Sequence, residues 1–172
     1  AVSSATYLGT SSYDQAYVMD LDNANNVYLF GQTLGTYPVS SGVYSNAGAK
    51  QFIHKLNNSL NTTGYSTVFG RSNYQYVNIS PTALLVDICG SVYAVGWGGG
   101  VNFDFQQFAG TTNSMPVTSD AFDANTDGED FYMINLSSNG TSLIYATYFG
   151  ENGAADHVDG GTSRFDKNGI IY

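Results

Sequence analysis

The sequence predicts an all-β fold made of repeated units of four short antiparallel strands. Residues that favour helices are scarce, with two Glu and three Lys in 172 residues, whereas 20 Gly, 14 Tyr and many Val, Thr and Asn favour strands and turns. Apolar runs of strand length recur along the chain in the same order. Self-similarity of this kind is typical of repeat architectures, in which each unit is one supersecondary element.

Three sequence anchors define the repeat. The first anchor is a Tyr/Thr-rich segment that ends in Gly, and it occurs at Ala5–Gly9, Tyr65–Gly70 and Tyr145–Gly150. The second is an Asp followed by an apolar run, and it occurs at Asp22 with Val27–Gly31, at Asp87 with Val92–Gly96, and again from Asp166. The third precedes the next Tyr-x-Thr segment, and it occurs at Phe52–Leu56 and Tyr132–Leu136.

Each unit therefore contains four predicted strands. In the first unit they are Ala16–Leu21, Val27–Gly31, Phe52–Leu56 and Tyr65–Phe69. The run Val27–Phe30 has no polar alternation, which predicts a strand that is covered on both faces. Its β-branched and aromatic residues favour a strand over a helix.

The connections between the predicted strands differ in length. Asn and Gly in Asn23–Asn26 and in Cys89–Ser91 tolerate left-handed backbone conformations, so the first two strands of each unit are expected to form a tight hairpin. The second and third strands are joined by Gln32–Gln51 in the first unit and by the longer Trp97–Phe131 in the second. This connection carries the length variation.

Four-stranded antiparallel units in tandem, covered on both faces, predict the blades of a β-propeller. We assign residues 1–14 to the closing strand and link of a preceding blade, 15–70 to one blade, 71–150 to a second with a long insertion at 97–131, and 151–172 to the start of a third, all within one propeller domain. Propellers typically need four to eight blades. The ring is therefore incomplete, and we expect the chain to be part of a longer protein. A standalone β-sandwich of about eight strands is the alternative.

The charge balance excludes several classes of partner. Fourteen acids against five scattered bases give a formal charge of -9, whereas neutralising phosphates requires clustered Lys and Arg. Nucleic acid and anionic membrane surfaces are therefore not expected as partners, and no apolar run is long enough for membrane insertion. An Asp-rich, Lys-poor composition with many neutral polar residues indicates a secreted bacterial surface protein.

Several segments resemble the bacterial β-propeller repeat with the approximate signature T-Y-L-G-G-S-x-x-D-x-A, D-x-x-G-N-V-Y-V-x-G and F-V-x-K-L-N. Thr6–Ala16 matches the first part nearly in full, and Ile79–Asp87 with Gly96–Gly99, and His157–Lys167, are similar to large surface proteins of gliding bacteria. The resemblance covers essentially the whole chain. It departs at Arg71–Tyr76, which replaces the acidic stretch, so the first turn of that blade is expected to differ.

The resemblance implies export through the type IX secretion system and display on the outer face of the outer membrane. In such proteins the repeats precede immunoglobulin-like PKD modules and a C-terminal sorting domain, neither of which lies in these residues. It further implies a non-catalytic structural or adhesive module in gliding or adhesion, whose partners are the type IX translocon, other surface proteins and surface glycans. The alternative is a secreted carbohydrate-binding, hydrolytic or lyase propeller with a calcium-assisted site at the central channel, lined by Asp14, Asp20 and Asp156.

The sequence predicts no catalytic residues and no cofactor. His54 lies inside a predicted strand, which favours a surface or packed position, and His157 stands between Asp156 and Asp159, where a local hydrogen-bonded corner is favoured over acid/base or metal chemistry. The best metal candidates are Asp123, Asn125 and Asp127. Their alternate spacing suits calcium, but no Glu stands at the twelfth position, so a plain Asx-rich turn is favoured.

Four other features bear on packing or recognition. Cys89 follows an apolar run, which favours a buried thiol over pairing with a cysteine outside these residues. Trp97 stands close in sequence to three aromatic residues of the long insertion, Phe103, Phe105 and Phe108. Together they are expected to anchor the insertion as a hydrophobic cluster, and the alternative is an aromatic platform for a sugar or a partner loop. The repeat tyrosines are expected to be packed between blades, while a recognition surface is left to the loop tyrosines Tyr13, Tyr37, Tyr44 and Tyr74. In a bacterial protein, five N-x-S/T sequons are interpreted as a consequence of the Asn-, Ser- and Thr-rich composition and not as glycosylation sites. They begin at Asn57, Asn61, Asn78, Asn135 and Asn139.

Overall fold

Eight strands, arranged as two four-stranded antiparallel sheets, make up the computed structural model, which describes residues 2–99, 110–158, 164–166 and 168–172. The first sheet contains β1 (Asp14–Leu21), β2 (Val27–Thr33), β3 (Gln51–Leu56) and β4 (Thr63–Phe69). The second contains β5 (Ser80–Val86), β6 (Val92–Trp97), β7 (Phe131–Leu136) and β8 (Leu143–Phe149). The described residues contain no helix. The predicted all-β class and the four-strand antiparallel units are therefore confirmed.

The two sheets share their strand order and their irregularities. Strands pair with their sequence neighbours, in the order β1-β2-β3-β4 and β5-β6-β7-β8. The register shifts at Tyr17 in β1 and at Thr82 in β5, and again near the end of β3 and of β7. Positions that occupy the same place in these registers are called equivalent below. Because β-bulges are specific features and not random defects, their recurrence supports a structural repeat.

The hairpin turns repeat three times around an aspartate. The carboxylates of Asp22, Asp87 and Asp166 each accept hydrogen bonds from the backbone N–H groups two and four residues later, at 2.7–3.0 Å. The residue three positions after each Asp has a positive φ of 59° to 84°, and it is Asn25, Gly90 or Gly169. The predicted tight hairpins are confirmed, with Asn and Gly at the left-handed positions that they tolerate best.

The main hydrophobic core lies between the two sheets. Strand β5 faces β1 and β2, and the N–H of Val86 donates to Asp20 Oδ2 across the interface at 2.7 Å. Alternate residues of both sheets fill the space between them, and they include Tyr28, Phe30, Ile53, Phe69, Leu84, Val86, Tyr132 and Ile134. A smaller cluster on the opposite face of the first sheet consists of Tyr37, Ala49, Phe52 and Val68. The first sheet is thus apolar on both faces.

The connection between the second and third strands of each sheet covers the outer strand edge. Ser40 N–H donates to Ser66 O at 2.8 Å, and Ser40 Oγ accepts from Ser66 N–H at 3.0 Å. Thr118 makes the same two bonds with Ala146 in the second sheet. Because an open strand edge is a template for unwanted pairing, these bonds close the outer edge of each sheet.

The position of Cys89 corrects a sequence prediction. The thiol is exposed, not buried, because Cys89 lies inside the Asp87 turn, where its N–H donates to Asp87 Oδ1 at 2.8 Å. Strand β5 ends three residues earlier at Val86. The apolar run therefore does not continue into the turn.

Candidate functional site

The acidic residues proposed for a channel site hold backbone turns. Asp14 Oδ2 accepts from the Thr10 hydroxyl at 2.9 Å and also from the Thr10 N–H. Asp20 Oδ2 bonds to Val86 across the sheet interface, and Asp156 Oδ2 accepts from Glu151 N–H at 2.9 Å. Asp14 and Asp156 thus replace a backbone partner at a link between strands, whereas Asp20 joins β1 to β5 of the other sheet.

At Arg71–Tyr76, where the sequence departs from the repeat signature, the link between the last strand of one unit and the first strand of the next is longer. The same kind of hydrogen bond nevertheless closes it. The N–H after the turn glycine donates to Asp14 in the first link and to Asp156 in the last. In the middle link Arg71 N–H donates to Asn78 Oδ1 at 2.9 Å. An amide further along the chain therefore takes the place of the carboxylate.

The calcium candidates also form turns. Asp123 Oδ1 accepts from Asn125 N–H at 2.8 Å, and Asp127 accepts from the N–H groups of Glu129 and Gly153. Hydrogen bonds from these two N–H groups lower the pKa of Asp127. Over the described ranges, no group of three or more His, Cys, Asp or Glu side chains could hold a metal ion. These contacts match the Asx-rich turn interpretation.

Asp130 is a buried carboxyl group that the sequence did not single out. Its side chain faces Asp156 across Gly150, where a Cβ would lie 2.2 Å from an oxygen of each carboxyl group. The Thr126 hydroxyl donates to Asp130 Oδ2. Burial raises the pKa of Asp130, and the nearby charges of Asp127 and Asp156 act in the same direction. Gly150 is therefore required by the close approach of two acidic side chains.

An ion pair stands at the turn end of the interface between the sheets. Lys55 Nζ lies 3.2 Å from Asp22 Oδ2 and 4.8 Å from the centroid of the Tyr28 ring. Although burial opposes the shift, hydrogen bonds from Asn26 and Lys55 lower the pKa of Asp22 to about 2. The pair fixes the first hairpin turn against the third strand.

Trp97 is buried, and its ring lies 5.5 Å from the ring of His157. Phe103, Phe105 and Phe108 of the expected aromatic platform lie outside the described residues, as does Asp159. His157 therefore contacts a packed aromatic side chain.

The most developed binding geometry surrounds His54 on the free face of the first sheet. The imidazole is buried, with Nδ1 3.1 Å from the Tyr37 hydroxyl and Nε2 2.9 Å from Thr63 Oγ1. Burial lowers the pKa of His54, so the ring is neutral at pH 7. A cleft of about 440 Å³ opens beside it, between residues 7–9, the loop 37–40 and strands β3 and β4. Of the surface and packed positions that the sequence left open for His54, the structure shows the packed one.

Tyr37 does not contribute to the recognition surface that the sequence left open to the loop tyrosines. Its ring is buried and stacks on Phe52 with centroids 4.1 Å apart. The sequence signal for this loop is a second repeat, Pro38–Ser41 and Pro116–Ser119, which read Pro-Val-Ser-Ser and Pro-Val-Thr-Ser. This repeat lies in the connection of variable length and was not among the predicted anchors.

Comparison with protein-family models and with curated proteins adds no relative. No protein-family model matches the chain, and no curated protein matches it significantly. Within the described residues there is no helix long and apolar enough to cross a membrane. The repeat, the two free sheet faces and the His54 cleft are the features from which function must be inferred.

Proposed function

We propose that the chain is part of a β-propeller that acts as a non-catalytic structural or adhesive module of a secreted bacterial surface protein. The observation that carries this proposal is that apolar side chains at repeat positions that are buried between the two sheets are exposed on the two outward faces of the pair. The surface location, the role in gliding or adhesion and the use of the type IX translocon rest on the resemblance and on the acidic, Lys-poor composition.

The uncovered face of β1 in the first sheet supports a further repeat before this sheet. Leu84 and Val86 of β5 face the first sheet and are each 8% exposed. Their equivalents in β1, Met19 and Leu21, are 61% and 45% exposed. These apolar side chains need a cover like the one that the first sheet gives to β5.

The uncovered face of β8 in the second sheet supports a further repeat after this sheet. Phe69 in β4 is fully buried between the sheets, whereas its equivalent Phe149 in β8 is 51% exposed and contacts the exposed Phe122. The start of the third repeat already lies over part of this face, with the Phe165 ring 6.2 Å from that of Tyr93. Sheets that stack face to face around an axis supply such covers to one another.

Imaging of the full-length polypeptide that contains these residues tests the architecture. We expect electron cryomicroscopy to reveal a closed ring of about four to eight sheets that includes these two. Two sheets standing alone, or sheets that close into a sandwich, would refute the propeller.

An in-frame deletion of residues 14–149 in native cells tests the function. We expect the shortened protein to reach the cell surface through the type IX translocon and cell attachment or gliding to fall. The matched control is Ile88→Ser in the full-length protein, because Ile88 is exposed in a turn. Unchanged attachment and gliding at equal surface display would overturn the adhesive role.

A further inference from the structure

Two carboxyl groups approach each other across Gly150, in the link that follows β8. A Cβ at Gly150 would lie 2.2 Å from Asp130 Oδ1 and 2.2 Å from Asp156 Oδ2, so the two oxygens are at most twice that distance apart. Asp130 is only 3% exposed. Among the residues that the structure describes, no Lys or Arg side chain forms an ion pair with either carboxyl group. Ionising both members of such a pair has a free-energy cost, because the charges repel and one of them is buried.

The segments packed around Asp130 add a negative charge and neutral groups. The turn before β7 contributes the charge of Asp127 and the hydroxyl of Thr126, which donates to Asp130 Oδ2. In β8, burial raises the pKa of the Tyr148 phenol to about 12, and the charge of Asp130 acts in the same direction, so this group stays neutral. These surroundings favour a proton on the carboxyl pair of Asp130 and Asp156.

The link fixes Asp156 beside the second sheet. Asp156 N–H donates to Glu129 O at 2.9 Å, and Asp156 Oδ2 accepts from Glu151 N–H at 2.9 Å. His157 follows in the chain, and its ring lies against Trp97. A hydrogen bond within the carboxyl pair would add to these contacts, which hold the link on the sheet.

The equivalent link between the two sheets carries no carboxyl pair. Beside Gly70, the amide of Asn78 takes the place of Asp156, with its Oδ1 2.6 Å from where a Cβ would lie. Lys50 takes the place of Asp130, since each directly precedes the third strand of its sheet, and its Nζ donates to two backbone carbonyl groups. The repeat therefore does not require two acidic residues at this link.

We propose that Asp130 and Asp156 share one proton, and that this proton makes the attachment of the link to the second sheet sensitive to pH. With the proton bound, one carboxyl group donates to the other. Without it, two negative charges face each other beside Asp127, and the attachment weakens. The proposal goes beyond the adhesive function and does not rest on it, since all of these groups lie in the second sheet and its link.

Acid should strengthen the attachment. The pKa of Asp130 is raised above its ordinary value of 3.8, chiefly by burial. The folded chain therefore holds a proton that the unfolded chain gives up. The resulting contribution to stability is fully present below pH 3.8 and is lost as the pH rises through the raised pKa.

Carboxyl ¹³C NMR of the intact chain tests the shared proton, because it follows each Asp separately. We expect Asp130 to titrate above pH 3.8 in the wild type, and its midpoint to fall towards 3.8 in Asp156→Asn, where the neighbouring charge is absent. The matched control is Asp120→Asn, which removes an exposed charge outside the pair and should leave the midpoint unchanged. A wild-type midpoint at or below 3.8, or equal midpoints in the wild type and Asp156→Asn, would overturn the proposal.

Melting temperatures followed by circular dichroism test the effect on stability. Asp130→Asn cannot ionise, so we expect it to melt about 2–4 °C above the wild type at pH 8, the shift for relief of one unfavourable charge contact in a chain of this length. At pH 3 the two proteins should melt together. Asp156→Asn should behave in the same way and provides the test if Asp130→Asn does not fold. A difference from the wild type that is the same at both pH values would count against a pH-sensitive pair.

Discussion

Truncation of Phe69 tests whether the space between the two sheets is the principal core. Phe69 is fully buried, and its ring stacks on Phe30 and on Tyr132 of the other sheet, with centroids 5.8 and 6.5 Å away. Phe69→Ala removes both contacts and leaves a cavity, so we expect the free energy of unfolding to fall by about 3–5 kcal/mol.

The matched control is Phe149→Ala at the equivalent position of the second sheet. Phe149 is 51% exposed, so its truncation loses about half of a transfer term of roughly 1.5–3 kcal/mol and leaves no closed cavity. We expect a loss of about 1 kcal/mol. Urea unfolding of both variants can be followed through the fluorescence of Trp97, the only tryptophan. Equal losses for the two variants would refute the idea that one face is covered and the other is open.

Three further changes test local features. Ser40→Ala removes the acceptor for Ser66 N–H, so the free energy of unfolding should fall by about 1 kcal/mol in urea titration, and an unchanged value would show that the edge bond contributes nothing. His54 has a lowered pKa, so the wild type should lose stability as the pH falls below 6.5 because the unfolded chain takes up the proton; His54→Ile should flatten that part of the melting-temperature profile, and an identical slope would contradict it. Asp22 has a lowered pKa, so its contribution should be present above pH 3.8 and be lost as the pH falls to about 2; Asp22→Asn should reduce that acid dependence more than Asp123→Asn, and equal profiles would count against a stabilising role for the hydrogen bonds that Asp22 accepts from Asn26 and Lys55.

The strand pattern could be predicted from the sequence because it depends on neighbouring residues. The four apolar runs of the first unit coincide with β1 to β4 to within two residues at every end. The hairpin turns are equally local. Within five residues, an Asp accepts the backbone N–H groups of the turn, and an Asn or Gly three positions later takes up its positive φ. Strands and turns were therefore predictable without knowledge of the rest of the chain.

The candidate site could not be predicted in the same way. His54 stands in an alternating strand position, which indicates a packed or a surface residue equally well. Tyr37 lies 17 residues before His54, in the loop that follows β2. Thr63 lies 9 residues after His54, beyond the turn between β3 and β4. Both hydrogen bonds of His54 form because the fold brings the loop with Tyr37 and the start of β4 to the same face of the sheet.

The sequence by itself determined the number of strands, their order and the turns that join them, because these depend on side chains a few residues apart. Tertiary structure decided which faces are covered. Phe69 and Phe149 occupy equivalent places in the repeat, yet one is buried and the other is half exposed because, among the residues that the structure describes, a complete sheet packs against Phe69 and not against Phe149. Burial depends on what lies across the interface, and the pattern within a single strand carries no record of that neighbour.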